Sequence, residues 1–223
     1  MTLQSILQLL TTSALTLVLG ACTTTTSSVE EVGGHQWLKP SPGLRQQIED
    51  TAKRLPWTHG MERIDAISWF ARVGEPAYPT LLAMVKDPRR DVAGAALAAL
   101  GATRDSRLVE PLHAIEFSAE ANSTDLKLER ARTLLRLGDW QSVPELIEGL
   151  RDERLITRAL CSQALYEATR ERFDFDPRGD AEAREKSVRA WEAWWQVRDR
   201  DPLLKNKTEA QTAPPKTSTS RER

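Results

Sequence analysis

Little in this chain of 223 residues is suited to ligating a metal, forming a disulfide framework or gripping nucleic acid. It has only two cysteines, Cys22 and Cys161, which excludes a scaffold stapled by several bridges. Three histidines, His35, His59 and His113, stand far apart with no ligand spacing, so no zinc site is indicated. Lys and Arg number 31 against 32 Asp and Glu, and this balance lacks the positive excess of a nucleic-acid binder. Valine and isoleucine are sparse beside alanine and leucine, leaving little to make strands from. Gly33-Gly34 is followed by neither a lysine nor a helical pattern, so it is linker rather than phosphate loop. No serine, histidine and carboxylate stand in a catalytic arrangement. The residues therefore indicate neither an enzyme nor a small-molecule substrate.

What is present begins with the first 21 residues, none of them charged, whose apolar run Leu15 to Leu19 leads into Leu19-Gly20-Ala21-Cys22. This segment resembles a bacterial lipobox and is too short to span a membrane comfortably. The resemblance implies a signal peptide over 1–21, cut ahead of Cys22, and a covalent lipid (diacylglyceryl and palmitate) on that cysteine. No other cofactor is implied. Thr23 stands where an Asp would favour inner-membrane retention. An envelope protein anchored to the outer membrane and facing the periplasm is implied. Cys161 is then left alone, with no disulfide possible in the mature chain. Its place in the apolar register of a helix predicts a buried, unreactive thiol.

Residues 22–42 carry the polar run Thr23 to Ser28, then Gly33-Gly34, Pro40 and Pro42, and read as a flexible tether. Residues 201–223, rich in Lys, Thr, Ser and Pro, read as a disordered tail. Between them, 43–200 is expected to be an all-α domain containing an internal repeat. DPRRDVAGAALAALG from Asp87 superimposes on DERLITRALCSQALY from Asp152, with Val85, Ala96 and Leu100 falling on Leu150, Cys161 and Leu165. IDAISWFARVG from Ile64 and LERARTLLRLG from Leu128 join the set. Gly74, Gly101 and Gly138 are each expected to close a helix in the left-handed region. A second helix follows each, and Val143, Leu146, Ile147 and Leu150 repeat at the spacing of one buried stripe. Phe117 to Thr124 reads as an inserted polar loop.

LRLGDWQSVPELIEGLRDE and ALAALGATRDSRLVEPL resemble HEAT repeats, notably the short bacterial kind found in phycobilin-lyase-like proteins. The resemblance implies an α–α solenoid of about four helical units. It also implies a polar ladder between units, matched here by Asp152 and Arg158 and, in its second half only, by Arg130. Thr124 takes the Asp place in that earlier unit. Trp191, Trp194 and Trp195, at i, i+3 and i+4 on Ala181 to Val197, are expected to cap the last repeat.

The remaining expectations concern binding. Second helices line the concave face of such folds, and here Glu110, His113, Glu116, Glu145 and Glu148 form an acidic strip for a basic segment of a protein partner. Asp174, Asp176 and Glu185 nearly match a calcium loop, but Arg178 occupies a ligand position and Pro177 stiffens it, which makes the site a weak candidate. The leading expectation is a membrane-anchored interaction scaffold. An enzyme of lyase type on the same fold and a structural or calcium-responsive envelope protein are the alternatives.

Overall fold

The computed structural model describes residues 29–32, 35–117 and 123–200. The signal segment, Cys22, most of the inserted loop and the 201–223 tail lie outside the described residues.

The fold is mostly helical. α1 (Pro42–Arg54) starts at the N-cap Ser41, whose hydroxyl accepts the Leu44 amide at 3.3 Å. α2 (Gly60–Val73), α4 (Arg90–Thr103), α6 (Ser123–Arg136) and α8 (Leu155–Thr169) are the long first helices of successive pairs. Each packs on the next, α2 on α4, α4 on α6 and α6 on α8. The return helices are shorter: α3 (Tyr78–Met84), α5 (Val109–His113) and α7 (Val143–Gly149). All three are entered through a single 3-10 turn, at 75–77, 106–108 and 140–142. α9 (Ala181–Arg198) packs on α7, capped by Asp180, whose carboxylate accepts the Ala183 amide at 2.8 Å.

The repeat is legible in these turns. Asp105 and Asp139 each accept the amide two residues on, from Arg107 and Gln141, and so start equivalent 3-10 turns. Asp87 and Asp152, 65 residues apart, grip Arg89 and Arg154 in the same way, through the amide and the guanidinium together.

The two larger cores among the described residues share one wall. Leu126, Leu134 and Leu137 of α6 and its C-terminal turn belong to the first, with Phe70, Leu81, Leu97, Leu100 and Leu112. Leu128, Ala131 and Leu135 of α6 belong to the second, with Leu146, Leu150, Cys161, Leu165 and Trp191.

Two expectations need correction. The tether does not extend to 42. Val29–Val32 and His35–Leu38 pair antiparallel as β1 and β2, and Trp37 is completely buried in the first core. A single indole there outweighs the polar composition around it, so the folded unit begins ahead of 43. Gly74 and Gly138 do take positive φ, at 67° and 97°, but Gly101 lies inside α4. Its helix ends at Arg104, itself left-handed at φ 56°. Gly101 serves a close approach instead: a Cβ there would lie 3.4 Å from Thr133 Cγ2 on α6. Gly149 is tighter still, since a Cβ would stand 2.5 Å from Cys161 Sγ and 3.1 Å from Leu128 Cδ2.

Candidate functional site: the return-helix surface

The five residues expected to form an acidic strip all lie on or beside α5 and α7, but the surface is not uniformly acidic. Glu110 is 79% exposed, with His35 of β2 3.6 Å from its carboxylate. Glu148 is 72% exposed and bonds Arg151 at 2.9 Å. Arg151 reaches on to Glu185 and Glu192 of α9, at 3.0 and 2.8 Å, and so ties the end of α7 to the last helix. Glu145 is half-buried. Burial raises its carboxyl above the usual range, against the opposing pull of Arg130, Lys127 and His113. Glu116 is exposed. Acids stand beside bases here because Glu110 meets His35 of β2, Glu145 meets Lys127 and Arg130 of α6, and Glu148 meets Arg151 just past its own helix.

His113 is the most constrained member. Its Nε2 lies 2.8 Å from the carboxylate of Asp139, a side chain only 4% exposed. The other Asp139 oxygen accepts the Gln141 amide at 3.0 Å. The pair therefore pins α5 to the turn before α7, with the imidazole half in solvent. Ser142 in the same turn donates its hydroxyl to the Asp139 backbone carbonyl at 2.6 Å rather than to the imidazole. The Cys161 thiol is buried and pushed up to about 12 by that burial, so it stays protonated. Asp139 escaped attention in the sequence, although its equivalence to Asp105 was a usable signal.

Two grooves flank this pair. One, of about 290 Å³, runs between α3 and α5 and is lined by Pro79, Leu82, Ala83, Lys86, Pro111 and Ile115. The other, of about 410 Å³, lies between the start of α6 and α7, with Lys127, Leu128, Glu145, Glu148 and Arg151 on its walls. The first is apolar with one cation, the second mixed.

Arg158 and Arg130, expected in a ladder, bond backbone carbonyls. Arg158, 8% exposed, donates to the Asp152 and Glu153 carbonyls at 2.8 Å and twice to the Pro177 carbonyl at 2.8–2.9 Å. It therefore bonds the Asp152 backbone and not its carboxylate, which is occupied by Arg154. Arg130 does the equivalent work one unit earlier, donating to the Ile115 carbonyl at 2.6 Å. The carboxylate that links units is Asp125, one residue after the expected place at Thr124. It is 4% exposed and pairs with Arg90 of α4 at 2.7 Å and with Arg154 ahead of α8. Arg63 and Asp91, 2.8 Å apart, join α2 to α4 in the same manner.

The calcium candidate is not assembled. Asp176 accepts the Arg178 amide at 2.9 Å, while the Arg151 guanidinium engages Glu185 and holds its carboxyl below the usual range. Among the described residues no three His, Cys, Asp or Glu side chains stand where they could hold a metal ion. Phe173 instead packs edge-on against Trp191 at 4.8 Å, which closes the second core.

Compared with known proteins, the chain matches no protein-family model and no curated protein sequence.

Proposed function

We propose that this chain is a lipid-anchored protein of the bacterial envelope whose HEAT-like solenoid, of about four units, scaffolds a protein partner on its return helices. The observation that carries the reading is the stepwise packing of α2, α4, α6 and α8, each on the next. Such a stack leaves a long face to bind with and gathers no enclosed pocket at its centre. The lipid on Cys22 is the one non-protein group in this reading, and the outer membrane facing the periplasm is its place. Confinement at a membrane raises the effective concentration of a partner held on the same surface. Because acids stand beside bases along α5 and α7, the partner is expected to offer mixed charge around an apolar segment that fits the groove between α3 and α5.

Crosslinking in intact cells, with partners identified by mass spectrometry, tests this. One dominant partner is expected, and Glu110→Lys with Glu116→Lys should lose it while leaving the melting temperature unchanged. Both positions are exposed. No enriched partner from wild type would overturn the scaffold.

A further inference from the structure

Among the described residues the large apolar side chains left in solvent are Leu38, Leu155, Ile156, Val197 and a run of three at the start of the stack. Trp57 is 79% exposed, Met61 69% and Ile64 52%, all within eight residues of chain. Trp57 ends the 3-10 turn after α1, and Met61 and Ile64 stand three apart on one face of α2. The cause is positional. α4 has a long helix on either side of it, whereas the substantial partners of α2 among the described elements are α4 and the 75–77 turn. Phe70 faces the core, and the flank bearing Met61 and Ile64 stays exposed, with no second long helix packed on it as substantially as α4 among the described residues. The end unit of a repeat stack is ordinarily polar on its outer side, and this one is not.

The chain ahead of the domain says what lies close to this flank. Cys22 precedes Val29 by seven residues, a reach of at most about 25 Å. Val29 pairs with Leu38, three residues lead from there to α1, and that helix of 13 residues runs about 20 Å to the turn that ends at Trp57. A lipid on Cys22 therefore holds the Trp57 end of the domain within reach of the same bilayer. Lys53 and Arg54 in the last turn of α1 are exposed beside it, and Arg54 shares a groove with Glu62 and Asp65. The surroundings carry both signs, so apolar and aromatic insertion would drive contact rather than attraction to anionic headgroups. An exposed tryptophan beside Lys and Arg suits the membrane–water interface.

We propose that Trp57, Met61 and Ile64 form a second membrane contact, which lays the first unit of the domain on the bilayer that holds the lipid. The proposal rests on lipidation of Cys22. It assigns this patch to a lipid surface and not to a second copy of the chain.

The test uses the full lipidated chain in vesicles of phosphatidylethanolamine with and without phosphatidylglycerol. A nitroxide is attached to Met61→Cys or, as a control, to Gln163→Cys, an exposed position on α8. Burial protects Cys161 from the label. With vesicles present, the ratio of oxygen to water-soluble nickel accessibility should rise about tenfold at position 61 and stay aqueous at 163, with or without the anionic lipid. Adding Trp57→Ser and Ile64→Ser should return position 61 to water with an unchanged melting temperature. An aqueous label at 61, on a chain whose Cys22 lipid is verified by mass spectrometry, overturns the membrane contact and leaves the anchor standing. Concentration-dependent broadening between labels at 61 without vesicles would assign the patch to a second copy and also overturn it. Absence of the lipid on Cys22 would remove the anchor and, with it, this proposal.

Discussion

Each of the two larger cores among the described residues contains one fully buried tryptophan, and the two are held by unlike means. Trp37 comes from a four-residue strand and meets Tyr78 edge-on at 5.1 Å, His35 stacked at 5.5 Å and the Arg107 guanidinium at 5.3 Å. Trp191 comes from an 18-residue helix and meets Phe173 at 4.8 Å and Trp194 at 5.5 Å. A two-stranded hairpin has little stability of its own, so the indole anchors the strand as much as the strand delivers the indole. The long helix at the other end has its own backbone bonds and further side chains to hold it. A cap can therefore be made from one residue where the element is weak, or from a stripe where it is strong.

The largest expected effect breaks this contrast open. Trp37→Ala and Trp191→Ala should each cost about 3–5 kcal/mol in denaturant unfolding. They should differ in hydrogen exchange. Trp37→Ala should free the Leu38 amide, which bonds the Glu75 carboxylate at 3.0 Å, while α9 in Trp191→Ala keeps most of its helical protection. Equal loss of protection at both ends would mean that the two caps work alike.

The two units also differ in how arginine serves them. Arg158 makes four bonds to three backbone carbonyls, and Arg130 makes one. Arg158→Met should cost about 3 kcal/mol and Arg130→Met about 1 kcal/mol, since carbonyls stripped of a buried cationic donor lose most where no water replaces it. Thermal melts of the two variants side by side decide the matter. A larger loss at Arg130 would show that the earlier unit depends on its ladder more than its bonds suggest.

The fold was legible where a period ran long enough. α9 lies within a residue of its expected span, and the stripe of Val143, Leu146, Ile147 and Leu150 is buried throughout. The hairpin was not legible, because four residues give no period and Trp37 sits among Gly, Pro and polar residues. The exchange of Asp125 for the expected place at Thr124 has a physical reason as well. A carboxylate at the first turn of α6 reaches the starts of both α4 and α8, a relation between units that no single segment displays. The bases beside the expected acidic strip were hidden on the same ground, since Lys127 and Arg130 of α6 bring positive charge to Glu145 from another element.

Helix spacing gives a smaller effect that separates two glycines. Gly149→Ala places a methyl against Cys161 and Leu128 and should cost about 2 kcal/mol, whereas Gly101→Ala meets Thr133 at near-ordinary distance and should change stability by less than about 1 kcal/mol. Adding Cys161→Ala should recover part of the loss at Gly149 and none at Gly101. Without that recovery, the tight approach of α7 to α8 would not be what fixes Gly149.

The smallest effect concerns acid. Asp125 is held below its ordinary value of 3.8, first by its bond from Arg154 and then by the charge of Arg90, with burial working the other way. A carboxylate whose folded value is depressed contributes stability that is fully present above its unfolded value and is lost as pH falls through the folded one. The link between α4, α6 and α8 should therefore hold at neutral pH and loosen only below about pH 4. Both guanidiniums are partly in water, at 54% and 44% exposure, so the pair is screened and Asp125→Asn should cost only about 1–2 kcal/mol at pH 7. The gap between wild type and Asp125→Asn should hold above about pH 4 and narrow as the pH falls further. Asp91, also held low, pairs with Arg63 at the start of the stack and is untouched by the substitution, so acid softening shared by both proteins belongs to it and to the other carboxylates. A gap that stayed constant with pH would mean that Asp125 links the units by packing and not by charge.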